Sequence, residues 1–209
     1  MKLTIFGATG RTGHLLVEQA LAAGHEVTAF VRTPAKLGQT NDRLRVVQGD
    51  LTNAAQIEAA IHGADAVLSV LGPSNNQAPC EISRGMDLIL AAMQKTGVRR
   101  LVISAGAGVH DPQDRPGAFD KAIGVLLKLT ARNVYEDMVQ AVAKVRASDL
   151  DWTIVRVPML TDDPAKGDFK IGYLGGGIGP RISRADMAAF ILKQAGDRTY
   201  LRQAPVISN

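Results

Sequence analysis

The sequence predicts an α/β protein: a doubly wound, mostly parallel sheet with helices on both faces. Three observations lead there. Short apolar runs rich in Val and Ile alternate with longer segments of helical periodicity, as strands covered on both faces by crossover helices require. Crossovers of this length between parallel strands are right-handed almost without exception, which leaves double winding as the economical topology. The first apolar run passes into the first helical pattern through "FGATGRTGHLL", residues 6–16, with glycines at 7, 10 and 13.

Taken in order, the first strand is expected over 3–6. The helix after it starts near Arg11, repeats Leu15, Leu16, Gln19, Ala20 and Ala23 on one side, and stops at Gly24, where a left-handed residue is often needed. A second strand over 27–31 completes a β-α-β unit. Strands over 44–47 and 66–70 flank a helix over 54–61. A helix over 82–95, apolar nearly all round at Met86, Leu88, Ile89, Leu90 and Met93, is expected to be well buried. Strands over 101–103 and 152–157 flank a helix over 134–147. Segments 105–120 and 161–180 carry glycine and proline without periodicity. Both follow strands, so they lie at the carboxyl edge of the sheet, where ligands of open α/β sheets bind, and are natural walls for a substrate pocket; the alternative is a pair of surface excursions. Ser183 with Asp186 in "ISRADMA" reads as a helix cap with an acidic residue three on. At 209 residues one domain, 1–209, is expected, with 157–209 contributing the pocket loops.

Composition excludes several classes. Hydrophobic content of 46% beside charged content of 21% is ordinary for a folded soluble protein. No apolar run approaches the roughly 18 residues of a membrane span, and the apolar start before Gly7 is too short for a signal-peptide core. Cys80 alone forms no internal disulfide and no cysteine-based metal site, so it reads as an inert thiol in a reducing compartment, most simply the cytoplasm. The net charge of +4 comes from scattered Lys and Arg, the densest group being Arg99-Arg100, which disfavours nucleic acid as a partner. His14, His25 and His62 have no ligand-spaced neighbours, so no metal is expected.

The glycines have steric reasons. Gly7 lets the chain turn off the strand, Gly10 clears a side chain from where a diphosphate approaches the backbone, and Gly13 lets the helix pack closely. The helix then aims free N–H groups and its positive dipole end at an anion. Gly7, Thr9, Gly10, Arg11, Thr12 and Gly13 are thus the expected diphosphate turn of a dinucleotide. The end of the second strand, "VTAFVRTPAKL", lacks the carboxylate that takes ribose hydroxyls in NAD sites. Arg32 stands there, with Lys36 one turn on, which suits a 2'-phosphate and favours NADP(H) over NAD(H); otherwise both are solvated surface cations. In "GDLTN", Asp50 is placed to accept the adenine amino group and Leu51 to pack on the ring, with Thr52 and Asn53 the closer cap candidates. Leu71-Gly72-Pro73 offers backbone beside the ribose and diphosphate.

"FGATGRTG", "VRTPAKL", "GDLTN", the strand "LVIS", "ASDLDWTIVRVPMLTD" and "ISRADMAAFIL" together resemble the atypical short-chain dehydrogenase/reductase-like proteins, over essentially the whole length, and most closely the flavin reductase (biliverdin reductase B) branch. The resemblance implies a Rossmann core, NADPH, and hydride delivery to a flat conjugated acceptor such as a flavin, a quinone or a linear tetrapyrrole. It places Ser104 in the region of the active-site serine, able to hydrogen-bond nicotinamide or substrate unless the backbone merely satisfies it. It also places the turn at Arg156-Val157-Pro158 near the nicotinamide, unless Pro158 simply ends the sheet.

Departures weigh as much. Short-chain dehydrogenases use Tyr-x-x-x-Lys, because a lysine one turn away lowers the tyrosine pKa. Here Tyr135 is followed at the fourth place by Val139, and Lys144 is nine residues on. Tyr135 then reads as a packing or pocket-wall residue more readily than a catalytic one, and His110, in a pocket-edge loop, is the histidine to test as a proton donor. Flavin reduction tolerates the missing dyad, since the reduced ring takes its proton from water. The first expectation is therefore an NADPH-dependent reductase of a small flavin or quinone acceptor, monomeric or homodimeric. The alternative is a non-catalytic NADP(H) sensor of the NmrA-like type; a nucleotide-linked epimerase or dehydratase is disfavoured.

Overall fold

The computed structural model describes residues 1–72, 81–117 and 130–209. Cys80, Pro73 and the end of the 105–120 segment lie outside the described residues. In chain order the elements are β1 (Lys2–Phe6), α1 (Arg11–Ala22), β2 (Glu26–Val31), a 3-10 turn (Pro34–Lys36), β3 (Leu44–Gln48), α2 (Ala54–Ile61), β4 (Ala66–Ser69), α3 (Glu81–Thr96), β5 (Arg100–Gly106), α4 (Arg132–Ala147), β6 (Asp151–Val157), β7 (Met159–Thr161), β8 (Lys170–Gly172), β9 (Arg181–Ser183), α5 (Arg184–Gln194) and β10 (Val206–Ser208).

The main sheet has the order β3-β2-β1-β4-β5-β6-β10-β8, parallel throughout except for β8 against β10. Chain direction across the sheet reverses between β1 and β4. That topological switch point opens a crevice beyond their carboxyl ends. One face is packed by α1 and α5 around Leu3, Ile5, Leu16, Val17, Phe190 and Ile191. The other is packed by α2, α3 and α4 around Ile57, Ile61, Ile89, Met93, Val142 and Val145. No helix among the described residues is long and apolar enough to cross a membrane.

Two expectations need correcting. Helix α3 is amphipathic rather than apolar all round: Met86, Ile89 and Met93 are buried, whereas Leu88 and Leu90 are half-buried and Arg84, Asp87 and Gln94 are exposed. The segment 161–180 is not wholly irregular either. It contains β8, and its flanks β7 and β9 pair as a small parallel sheet of their own.

Buried carboxylates fix the segments at the carboxyl edge. Arg156, fully buried near the end of β6, donates from Nη1 and Nη2 to the two oxygens of Asp114, each at 2.8 Å, and from Nη1 to Val109 O at 2.9 Å. Asp114 also accepts the backbone N–H groups of Asp111 at 2.8 Å and Leu174 at 3.1 Å. The pair therefore pins the chain after β5 and the chain after β8 to the end of β6. Arg156 thus acts as a structural anchor. Asp186 plays the equivalent part for α5. Its N–H donates to Ser183 Oγ at 3.0 Å, the cap read from the sequence, while its carboxylate accepts Lys166 N–H at 2.9 Å, Gly167 N–H at 3.0 Å, the Ser183 hydroxyl at 2.8 Å and the Asn209 side-chain amide.

Burial alone would raise the Asp114 carboxyl, but the Arg156 guanidinium and the Asp111 and Leu174 amides outweigh it and hold the group below the ordinary carboxylate range. A carboxyl depressed in the folded state contributes stability that is complete above its unfolded value and is lost as pH falls through the folded one. Asp114→Asn leaves the Arg156 charge buried without a counter-charge. It should cost about 3–5 kcal/mol in urea unfolding at neutral pH, and the variant's stability should fall less steeply than the wild type's as the solution is acidified below the ordinary carboxylate range.

Candidate functional site

The chain leaves β1 through Gly7 with φ of +82°, a conformation that disfavours any side chain, and a Cβ there would lie 2.8 Å from the Val70 carbonyl carbon and oxygen. The turn is thus pressed against the end of β4. At Gly13 the constraint is tighter: a Cβ would sit 2.1 Å from Gly7 O and 2.8 Å from Ala8 Cα. The close packing expected of Gly13 is real, and its partner is the backbone of the turn. Gly10 caps α1 without a side-chain hydrogen bond, and the first turn of α1 has no acidic residue. The first helical N–H groups therefore face the crevice with no carboxylate of their own turn to receive them.

The crevice is a cleft of about 1160 Å³. Gly7, Thr9, Gly10, Arg11, Thr12 and Gly13, after β1, line its centre; Arg32 and Lys36, after β2, with Asp50 and Leu51, after β3, lie toward one end; Leu71, Gly72, Ser104 and Pro158, from β4 to β6, lie toward the other. Residues chosen from separate stretches of sequence thus converge on one cavity. Arg32 follows β2 and Lys36 closes the 3-10 turn; both side chains are exposed and hold no ion pair among the described residues. The turn is tied to α1 by His14, whose Nε2 faces Lys36 O at 3.0 Å and Leu37 O at 3.1 Å.

Asp50 is held in place by Thr52. The Thr52 hydroxyl at 2.6 Å and the Thr52 N–H at 2.8 Å donate to Asp50 Oδ1, and these bonds hold the carboxyl below its ordinary value. Asn53, as expected, is the cap of α2, accepting Gln56 N–H at 3.1 Å, while Gln56 Oε1 accepts Asp50 N–H at 3.1 Å. Leu51 turns inward, and a Cβ on Gly85 of α3 would meet its side chain at 3.2 Å.

The structure does not bring the other two catalytic candidates to the cleft. His110 points outward with a side chain 73% exposed, its Nδ1 lying 3.8 Å from Asp114 Oδ2, and it does not line the cavity. Tyr135, in the first turn of α4, does not line it either. Lys144, farther along α4, donates to Ser83 O at 3.0 Å and to Asp87 Oδ2 at 2.6 Å, so it serves the α3–α4 contact. Ser104, half-buried at the end of β5, does line the cleft, beside Ala105 and Gly106.

Sequence reasoning missed the wall built by α3, α4 and α5: Arg84, Gly85 and Leu88, Met138, and Arg184 with Met187. No local spacing marks them, because each is a helix position whose neighbour in the cleft is distant along the chain. The α3 part of the wall is set by Asp137 of α4, whose carboxylate accepts the N–H groups of Ile82 at 2.9 Å and Ser83 at 2.8 Å and so caps α3 from another helix. Among the described residues no cluster of His, Cys, Asp or Glu stands where it could hold a metal.

Strand order, switch point and glycine turn define a nucleotide-binding α/β protein of the Rossmann class. The comparisons carry this further: the chain belongs to the NAD(P)H-binding family, whose sequence model matches residues 7–198. It is 30% identical to an oxidoreductase of Pestalotiopsis microspora over 71% of this chain and 62% of that protein, and so spans less than two thirds of that relative. An oxidoreductase structure from Lactococcus lactis superposes with a TM-score of 0.83 at 20% identity, covering 100% of this chain and 91% of the other. A short-chain dehydrogenase/reductase from Veillonella parvula, crystallised with NADP, does so with a TM-score of 0.79 at 22% identity over 100% and 94%. At such identities the likeness is one of fold.

Gly13→Ala tests the turn. The atoms a methyl group would strike are backbone and cannot rotate away, so the substitution should cost about 1–3 kcal/mol in unfolding experiments.

Proposed function

We propose that the protein is an NADPH-dependent reductase that passes hydride to a flat conjugated acceptor, a flavin or a quinone, as in the flavin reductase branch it resembles. The observation that carries this reading is the pair of cations, Arg32 and Lys36, which hold no ion pair among the described residues and stand at the end of the cleft whose centre is the glycine turn. The residues fit the cofactor. Among the described residues a Cβ on Gly72 would meet nothing within 4 Å and one on Gly10 only Gly7 O at 3.3 Å, which leaves space for a diphosphate and ribose. Arg32 and Lys36 would hold the 2'-phosphate, Asp50 and Leu51 the adenine, and Ser104 and Pro158 the nicotinamide end. The name of the Pestalotiopsis relative, and the NADP in the Veillonella structure, support the same reading.

When bound, the reduced nicotinamide supplies the hydride. The chain's own part is to bind, orient and exclude water. A guanidinium and an ammonium fix the adenosine end, helix α1 receives the diphosphate, and the apolar wall of Met138, Val157, Leu160 and Met187 shields the opposite end. Water is the proton source this reading assigns to the reduced acceptor: among the described residues Lys144 is committed to Asp87, and neither Tyr135 nor His110 lines the cleft. The last observation favours equally a second reading, an NmrA-like sensor that binds NADP(H) without turnover.

Two measurements check these readings. Arg32→Glu should weaken NADPH binding by roughly tenfold to a hundredfold, the worth of charge-assisted bonds to a phosphate, while leaving NADH binding nearly unchanged; equal loss for both removes the 2'-phosphate assignment. Purified protein with NADPH and flavin mononucleotide or a quinone should oxidise the nicotinamide, read by its absorbance; tight NADPH binding without turnover on any such acceptor selects the sensor.

A further inference from the structure

Asp162, in the segment between β7 and β8, joins two arginines that both line the cleft. Its Oδ2 lies 2.8 Å from Arg11 Nη1 and its Oδ1 lies 2.8 Å from Arg184 Nη1. Arg11 is the first residue of α1, directly after the glycine turn, and Arg184 is the first residue of α5. A cation in the first turn of a helix opposes the helix dipole, so neither guanidinium is there to stabilise its own helix. The two cations converge on one anion, and that anion is poorly secured. The Asp162 side chain is 63% exposed and Arg11 70%, against 10% for Arg184. Asp186, by contrast, is buried and holds the other end of the same segment through Lys166 and Gly167. The segment therefore has a firm anchor at one end and, at the other, a counter-ion open to water.

We propose that Asp162 is a displaceable internal counter-ion: its carboxylate occupies a two-arginine seat that phosphate oxygens take over when a ligand enters the cleft. This rests on the cofactor reading above, which puts a diphosphate beside Arg11. The same seat suits the terminal phosphate of a flavin mononucleotide, and the two sources are separable. Asp162 thus sets ligand affinity from outside the cavity wall, by competition, and the sign of the effect is distinctive. Losing a merely structural contact weakens binding or leaves it unchanged. Losing a competitor strengthens it.

The experiment is titration calorimetry of wild type, Asp162→Asn and Asp162→Ser with NADPH, flavin mononucleotide, riboflavin and inorganic pyrophosphate. Unfolding midpoints of both variants confirm that they fold. If the cofactor's diphosphate is the displacing group, both variants bind NADPH roughly threefold to fivefold more tightly, the scale of an exposed ion pair. In an Arg11→Gln background the gain shrinks. If the displacing group belongs to the acceptor, flavin mononucleotide gains and riboflavin does not. Unchanged or weaker binding of NADPH, flavin mononucleotide and pyrophosphate in both folded variants overturns the proposal. Absence of NADPH binding by the wild type overturns the cofactor reading instead, and the seat is then judged on pyrophosphate, which the variants must bind more tightly.

Discussion

The site depends on one steric constraint. Helix α1 can begin where it does because residue 13 carries no side chain, and its backbone rests on Gly7 and Ala8 at a distance that a single methyl group would abolish. That contact organises its surroundings. The helix N-terminus is held against the turn, the turn is pressed on the end of β4 at Val70, and the crevice at the switch point acquires a floor of backbone N–H groups. Side chains supply selectivity around it, and main chain supplies the floor.

Much of this was legible in the sequence, and the reason differs by element. The strands β1 to β6 are runs of Val, Ile and Leu long enough to show their period, and Gly7, Gly10 and Gly13 stand where the strand pattern gives way to the helical one, so their steric roles are readable from order alone. The cap at Asn53 was readable because capping is a local interaction. By contrast β7 to β10 are each 3 residues long, too short for any periodicity to register. The extension of β5 through Ser104, Ala105 and Gly106 was equally hidden, since those residues have weak strand preference and are held by pairing with Val155, Arg156 and Val157.

The site divides along the same line. Residues that turns bring to the cleft were read from the sequence; those that a helix delivers from a distance, such as Arg84, Met138 and Arg184, were not. His110 shows the converse. It sits in a segment expected at the carboxyl edge, but position along the chain does not determine which way a side chain faces, and its ring turns outward toward solvent. Arg156 was read as part of a turn near the nicotinamide. Its burial and its paired bonds to Asp114 could not be foreseen, because Asp114 lies 42 residues away in a stretch without pattern.

The cap that Asp137 gives to α3 reaches beyond those hydrogen bonds. By accepting two amides of the first turn of α3, the Asp137 carboxylate ties the tilt of that helix to α4. Widening the cleft by parting α3 from α4 would strip two amide protons of their acceptor at once. The two helices are therefore expected to move as one plate, and whatever accommodation a bulky guest demands must come from the opposite bank, where α5 and the short strands lie.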